Sequence, residues 1–324
     1  MDDTVPAPAA RSWLASVFVG RDGLRAGWSL LLFSILVAAA IVAMVFGLRT
    51  FAPETLQTGA GMTPRSTIVQ EALSLLAVGI PAFIMAFLER RRFARYNLGA
   101  PHRLAAFAKG LASGLVMLSI LIGLLAVTGS IRFSGTAIGG GAIVTYGVEW
   151  LVAFILVGLF EEFAFRGYLQ FTLARGIAGL SAWLGAKRHA AAIGFWVAAI
   201  VFSVVLFAYV HTGNGGETAM GITAVSLAGL TFVFSLWWTG SLWWAIGFHA
   251  AWDWAQSYLY GVADSGLVSQ GHLLATAPTG NPLLSGGSTG PEGSVLVIPV
   301  LLASMLVVWK TMPRRLPPVL DGEA

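Results

Sequence analysis

The chain lacks cysteine and has few charged residues, and each of these absences narrows what the protein can be. Without cysteine it forms no disulfide and offers no thiolate, so any bound metal must be held by His, Asp or Glu. Only 10% of its 324 residues are charged and 57% are hydrophobic, whereas roughly a quarter of the residues in a soluble domain are charged. This composition indicates an integral membrane protein.

The apolar residues fall into runs near 20 residues, about the length of helix that crosses the hydrocarbon core of a bilayer. We therefore predict an all-α polytopic membrane protein, with about eight transmembrane helices that enclose a polar intramembrane site. The predicted spans are about residues 26–48, 68–88, 107–127, 143–160, 190–210, 219–238, 242–260 and 294–309. The fourth helix is expected to continue to about residue 173.

Basic residues between the spans predict the orientation of the chain. Segment 90–95 is the densest basic cluster, whereas loop 128–142 holds one arginine and loop 261–293 holds no lysine or arginine. The positive-inside rule then places this cluster and both termini in the cytoplasm. The same rule accounts for the net charge of +4 without a nucleic-acid partner, and leaves membrane lipid as an expected partner.

These features divide the chain into five segments. We predict a cytoplasmic N-terminal tail at 1–24, transmembrane helices 1–3 at 25–142, a catalytic core of helices 4–7 at 143–260, a loop rich in Gly, Ser and Pro at 261–293, and the last transmembrane helix with a basic tail at 294–324.

Ionisable side chains at three places within or beside the apolar spans are candidates for function, because each costs roughly 2.5–3.5 kcal/mol to insert unless it is paired, hydrated or functional. These places are Glu161, Glu162 and Arg166, then His211, then His249 and Asp253. Glu162 and Arg166 are four residues apart, so they share one helix face and are expected to form an ion pair. Glu161 points about 100° away from that pair and stays available for chemistry.

Glu161, His211 and His249 together supply one carboxylate and two imidazoles, which is a ligand set of catalytic zinc sites. Two alternatives stay open, because either zinc activates a water molecule or Glu161 takes the proton from water directly as a general base. Asp253 lies one turn after His249 and either orients its imidazole or joins it at a shared ligand. The plainest interpretation of Glu162 and Arg166 is a structural ion pair, and that of Phe207 is packing.

The order and spacing of these residues resemble a known family. Glu161-Glu162-x-x-x-Arg166, Phe207-x-x-x-His211 and His249-x-x-x-Asp253 are similar to the three motifs of the CPBP family, the CAAX-protease and bacteriocin-processing intramembrane endopeptidases. The resemblance covers about residues 145–260 and includes the sequence that follows or connects the motifs, around 211–218 and 239–249. Each motif alone is weak evidence for the family, whereas three motifs in this order and with this spacing are specific evidence for it.

The resemblance implies a role for each motif residue. Glu161 would activate the attacking water, and His211 would be its partner or a metal ligand. His249 and Asp253 would stabilise the oxyanion or complete the ligand set, and Glu162 and Arg166 would hold the helix. The family's best-described members carry Asn at the position of Asp253, and an ionised aspartate donates no hydrogen bond to an oxyanion.

We therefore predict an intramembrane endopeptidase, with or without zinc, that hydrolyses a peptide bond of a membrane-associated or lipidated substrate. The resemblance places it in a bacterial inner membrane. One alternative is a non-proteolytic scaffold or bacteriocin-immunity protein with the same fold, and another is a small transporter or proton relay. The predicted spans leave one conflict, because a straight fifth helix carries His211 about 30 Å from its start, away from Glu161. Either the helix of Glu161 continues deep past Glu162, or the fifth helix begins outside the bilayer and tilts.

Overall fold

The computed structural model describes residues 17–20, 23–51 and 62–320, so most of the predicted N-terminal tail lies outside the described residues. The long helices are α1 (Ala26–Phe51), α2 (Pro64–Leu88), α3 (Arg103–Val127), α4 (Gly141–Trp183), α5 (Ala190–His211), α6 (Ala219–Thr239), α7 (Trp243–Trp254, continued by Ala255–Leu259) and α8 (Val297–Thr311). The strands are β1 (Val19–Gly20), β2 (Gly23–Leu24), β3 (Ile131–Thr136) and β4 (Leu274–Pro278). Short helical turns occur at Phe93–Arg95, Pro282–Ser285 and Pro291–Gly293.

The eight long helices correspond to the eight predicted spans, and the polytopic helical class is confirmed. Among the described residues, the six helices α1 to α6 are long and apolar enough to cross a membrane. The other two, α7 and α8, are shorter. Helix α4 continues through the Glu-Glu motif as predicted, but it ends at Trp183 instead of near residue 173. The protein is thus an integral membrane protein built of helices.

Local sequence explains where several helices begin and end. Thr63 accepts a hydrogen bond from the amide of Ser66 at the start of α2, and Pro64 occupies the first helical position, where its missing N–H costs nothing. Thr218 caps α6 in the same way. Gly240 ends α6 in the left-handed conformation, with φ of 71°, which a glycine adopts without strain.

Helices α3 and α7 pack with their backbones almost in contact, and glycines make this possible. A Cβ atom on Gly110 or Gly114 of α3 would collide with the main chain of Trp244 or Phe248 on α7, and one on Gly247 would collide with Phe107 of α3. Small residues permit such close approach between membrane helices. The contact holds α7, and with it the third motif, firmly against α3.

We expect Gly114→Ala to lower the stability of the protein by about 1–3 kcal/mol, because the added methyl group overpacks the contact with Phe248. The thermal unfolding midpoint in detergent measures the effect. Gly123→Ala is the matched control, since Gly123 lies on the same helix and its Cβ position is open. Equal midpoints for the two variants would contradict the packing argument.

Two segments predicted as loops carry regular structure at one end of the helices. Strand β3 lies in loop 128–142 and pairs antiparallel with β4 from loop 261–293. Ser288 and Thr289 donate hydrogen bonds to the carbonyl of Gly216 in the turn after α5, and Met62 forms a bridge with Ser269. We call this end, formed by segments 62–65, 128–140, 212–218 and 260–296, the loop face.

The opposite end is formed by segments 89–103, 184–189, 240–242 and 310–320, which we call the basic face. Main-chain hydrogen bonds join Leu242 to Asn97 and Arg315 to Trp238 across this face. Glu89 is buried there and accepts hydrogen bonds from Arg91 at 3.0 Å and Arg175 at 3.3 Å. Part of the basic cluster at 90–95 is therefore held by an internal ion-pair network.

Candidate active site

A cavity of about 620 Å³ collects the predicted site residues from distant parts of the chain. Helices α2, α4, α5, α6, α7 and α8 all contribute to its wall, together with residues of the long loop after α7. The cavity is lined by Glu161, Phe207, His211, His249 and Asp253. All three motifs thus converge on one polar space, which removes the conflict raised by the predicted spans.

His249 lies at the centre of the site and faces three carboxylates. Its Nδ1 atom is 3.3 Å from Oε1 of Glu162, and its Nε2 atom is 3.4 Å from Oδ2 of Asp253 and 3.8 Å from Oε2 of Glu161. The ring stacks on Phe232 of α6 with the centroids 5.1 Å apart. Carboxylates beside both ring nitrogens hold the imidazole in one orientation.

Glu161 and Glu162 are adjacent in sequence but differ in environment. Glu162 is fully buried and is engaged by both His249 and Arg166, whereas the side chain of Glu161 keeps 21% of its surface exposed toward the cavity. The Oε2 atom of Glu161 has no hydrogen-bond partner among the described residues. The structure therefore separates a carboxylate held by protein contacts from one that faces the cavity.

Arg166 is fully buried and joins three helices. Its Nη1 atom donates to Oε1 of Glu162 at 3.0 Å, and its Nη2 atom donates to the carbonyl of Ser203 on α5 at 3.3 Å. The guanidinium also lies over the ring of Phe207 at 4.1 Å and near that of Phe232 at 5.3 Å. Phe207 thus packs as predicted, and the aromatic faces attract the cation as well.

A π-helical segment adjoins each of the three motifs. These segments are Phe163–Leu169 after the Glu-Glu pair, Ala199–Leu206 before Phe207, and Ala255–Leu259 after Asp253. A π segment widens a helix by one residue, and such segments are frequent at functional sites. In α5 the segment contains Ser203, whose carbonyl accepts the hydrogen bond from Arg166.

His211 ends α5 and lines the cavity, with its Nδ1 atom 2.7 Å from the carbonyl oxygen of Phe207. Its ring centroid is 4.7 Å from that of Phe207, which is in turn 6.5 Å from the ring of His249. If Nδ1 donates to the carbonyl, Nε2 is left as an acceptor for water or for a metal ion.

The fit of a metal ion follows from how the ligands are arranged. A zinc site needs three or four ligand atoms about 2.0–2.2 Å from one point. Among the described residues, no three or more His, Asp or Glu side chains are grouped in a way that could hold a metal ion. The proposed ligands Glu161, His211 and His249 line one cavity but do not form a ready coordination shell.

Several residues that line the cavity lie outside the three motifs and were not predicted from the sequence. Glu71 of α2 faces the cavity, and its Oε2 atom is buried without a hydrogen-bond partner among the described residues. Glu71 lies inside the predicted span 68–88, and an ionisable residue in an apolar helix is itself a sign of a functional site. That sign could have identified Glu71 from the sequence. Asp264 and Glu292 reach the cavity from the long loop, and no local sequence pattern indicates that.

The acidic residues of the loop face are held by hydrogen bonds. Glu292 accepts hydrogen bonds from the indole of Trp252 at 3.1 Å and from the amide of Ser265 at 3.2 Å. Burial, reinforced by the charges of Asp253 and Glu292, raises the pKa of Asp264 well above its ordinary value. Burial also raises the pKa of Glu217, the residue before the cap of α6.

These features define the class of protein as a polytopic helical membrane protein whose polar cavity holds carboxylates around an imidazole. Residues 144–255 match the family described as type II CAAX prenyl endopeptidase Rce1-like. The chain therefore contains an Rce1-like domain, which confirms the resemblance seen in the motifs. The matched segment contains all three motifs. No curated protein matched the chain, and no solved structure matched it.

Removing Arg166 alone should strongly destabilise the protein. We expect Arg166→Met to cost about 3–5 kcal/mol, because it leaves Glu162 buried without its cation. Unfolding midpoints in detergent, read at one pH for all variants, measure this loss.

The double variant Glu162→Gln/Arg166→Met is the control, since it removes both charges and should recover much of the lost stability. A double variant less stable than Arg166→Met would contradict a structural role for the ion pair.

Proposed function

We propose that this protein is an intramembrane endopeptidase in which Glu161 activates a water molecule for attack on a peptide bond. One observation carries the proposal: Glu161 faces a large polar cavity while its neighbour Glu162 is engaged by protein contacts. The Rce1-like domain supports the same reaction class. The substrate is a protein or peptide associated with the membrane, since the site lies within a bundle of membrane helices.

The reaction follows from the positions of these groups. Glu161 accepts a proton from water as the oxygen attacks the carbonyl carbon of the peptide, so a C–O bond forms and the carbonyl becomes an oxyanion. The intermediate then collapses, the C–N bond breaks, and Glu161 returns the proton to the departing amine. One water molecule is consumed, and a carboxylic acid and an amine are released.

His249 is the group best suited to stabilise the oxyanion. Its Nε2 atom is 3.8 Å from Glu161, so a carbonyl oxygen placed beside the attacking water is within reach of the imidazole. Asp253 and Glu162 orient the ring from its two sides. In this scheme Asp253 acts as a positioning residue, which explains how an aspartate can serve without donating to the oxyanion itself. His211, which lines the same cavity, orients the water.

Zinc held by Glu161, His211 and His249 is the second candidate mechanism. The contact between His249 and Glu162 favours it, because metal-bound histidines commonly place their second nitrogen against a carboxylate. Bound zinc would supply an activated water molecule. The described side chains are not grouped as a coordination shell for the ion. The favoured mechanism therefore uses the protein groups alone.

The decisive variant is Glu161→Gln, which keeps the size of the side chain and removes the base. We expect cleavage of a membrane-anchored reporter peptide to fall by about 10²–10⁴-fold, the usual contribution of a general base. The matched control is Glu149→Gln on the same helix, where Glu149 pairs with the exposed Arg65. Both variants should insert and unfold as the wild type does.

Full cleavage by Glu161→Gln would overturn the assignment. If wild-type protein cleaves nothing, and a biological effect such as immunity survives in Glu161→Gln, the scaffold or immunity alternative replaces the enzyme.

Whether cleavage requires a bound metal ion is tested by a separate measurement. We expect less than one equivalent of zinc in detergent-purified wild type and cleavage that survives chelation, because Glu161 activates water directly in the favoured mechanism. Elemental analysis of wild type and His249→Ala, from the preparation used for the cleavage assay, gives the answer. About one equivalent of zinc that is lost with His249 would instead establish the metal mechanism.

A further inference from the structure

The cavity opens at the loop face. Its lining includes Met62, Asn214, Asp264 and Glu292 from the segments that form this face, and none of its residues comes from the segments of the basic face. Toward the basic face the described residues close the site, because Glu162, Arg166 and Phe248 beneath it are almost completely buried. A substrate therefore reaches Glu161 from the loop face.

The mouth also opens sideways, between α2 and α5. Ser66 and Gln70 on α2, Val210 on α5 and Leu267 of the long loop line the cavity and are exposed. Gln70 lies more than one turn inside α2, about 9 Å along its axis from Pro64. The opening thus extends from the helix ends into the adjoining half of the bilayer, where an anchored segment can enter from lipid.

The two faces differ sharply in positive charge. Within the described chain, the loop face carries Arg65 and Arg132, with Arg49 near the end of α1, and its segments 212–218 and 260–296 contain no lysine or arginine. The basic face carries the cluster 90–95, the pair 187–188 and the group 310–315. By the positive-inside rule the basic face is cytoplasmic, so the mouth is on the other side of the membrane.

The described lining of the cavity offers no lysine or arginine to an acidic substrate. Its described lining contains the carboxylates of Glu71, Glu161, Asp253, Asp264 and Glu292, two histidines, and no lysine or arginine. A carboxylate brought into this space, including a free C-terminus, meets five carboxylates against two histidines, and this excess of like charge costs binding energy. Neutral or basic stretches of chain avoid that cost.

We propose that the site works on the extracytoplasmic side of the membrane, on a membrane-anchored polypeptide that enters between α2 and α5 and is cleaved within a neutral or basic stretch. This inference rests on the proposed peptidase function and adds to it the side of access and the class of substrate. It assigns α2, which lies outside residues 144–255, to substrate entry.

The side of the membrane on which the cavity opens can be tested by thiol labelling, which needs no enzymatic activity. The chain has no cysteine, so each introduced cysteine is the only thiol in the protein. Leu267→Cys reports the mouth, Ser134→Cys reports the loop face outside the cavity, and Ala94→Cys reports the basic face; all three positions are exposed. A membrane-impermeant maleimide should label the first two in sealed right-side-out vesicles and Ala94→Cys only in inverted vesicles. The reverse pattern would overturn the proposal.

Substrate class is tested with two reporters that carry one anchor and the same scissile stretch on either the extracytoplasmic or the cytoplasmic side. Wild type should cleave the extracytoplasmic reporter, Glu161→Gln should not, and replacing two neutral residues beside the bond by Asp should slow cleavage about tenfold or more. Cleavage of the cytoplasmic reporter, or indifference to Asp, would overturn the proposal. If neither reporter is cleaved while the labelling pattern holds, the peptidase function fails and the orientation of the cavity stands.

Discussion

The structure of the site depends on the buried cation of Arg166. A charge in the apolar interior persists only where partners compensate its desolvation, and these partners come from different helices. Glu162 shares α4 with Arg166, Ser203 and Phe207 come from α5, and Phe232 comes from α6. Through Glu162 the same cation reaches His249 on α7. Satisfying one charge therefore fixes the relative positions of all three motifs.

Close backbone packing makes that arrangement possible. A Cβ on Gly229 of α6 would collide with the carbonyl of Ser203 and approach the guanidinium of Arg166, and a Cβ on Gly158 of α4 would press on the carbonyl of Ile246 on α7. Glycines at these crossings let the helix backbones approach closely, and at Gly229 this brings the carbonyl of Ser203 beside the guanidinium. The π segments beside the motifs serve the same end, since they leave carbonyls such as that of Ser203 free to accept.

Different parts of the chain contribute the motif residues and the entrance of the cavity. The Rce1-like domain, residues 144–255, contains the motif residues and more than half of the residues that line the cavity. Helix α2, helix α8 and the loop between α7 and α8 complete its wall and mouth, and they lie outside that domain. The surroundings of the motif residues are thus set in part by segments that the family match does not cover.

The sequence by itself determined the features that depend on local geometry. Apolar runs of membrane length marked the helices, and the i,i+4 spacing marked the ion pair between Glu162 and Arg166, because both follow from the period of one helix. Only the tertiary structure decided that Glu71 and Asp264 line the same cavity as Glu161. It also decided that β3 pairs with β4 across more than 100 residues. These are contacts between distant segments, set by how whole helices pack, and no periodicity within a single segment records them.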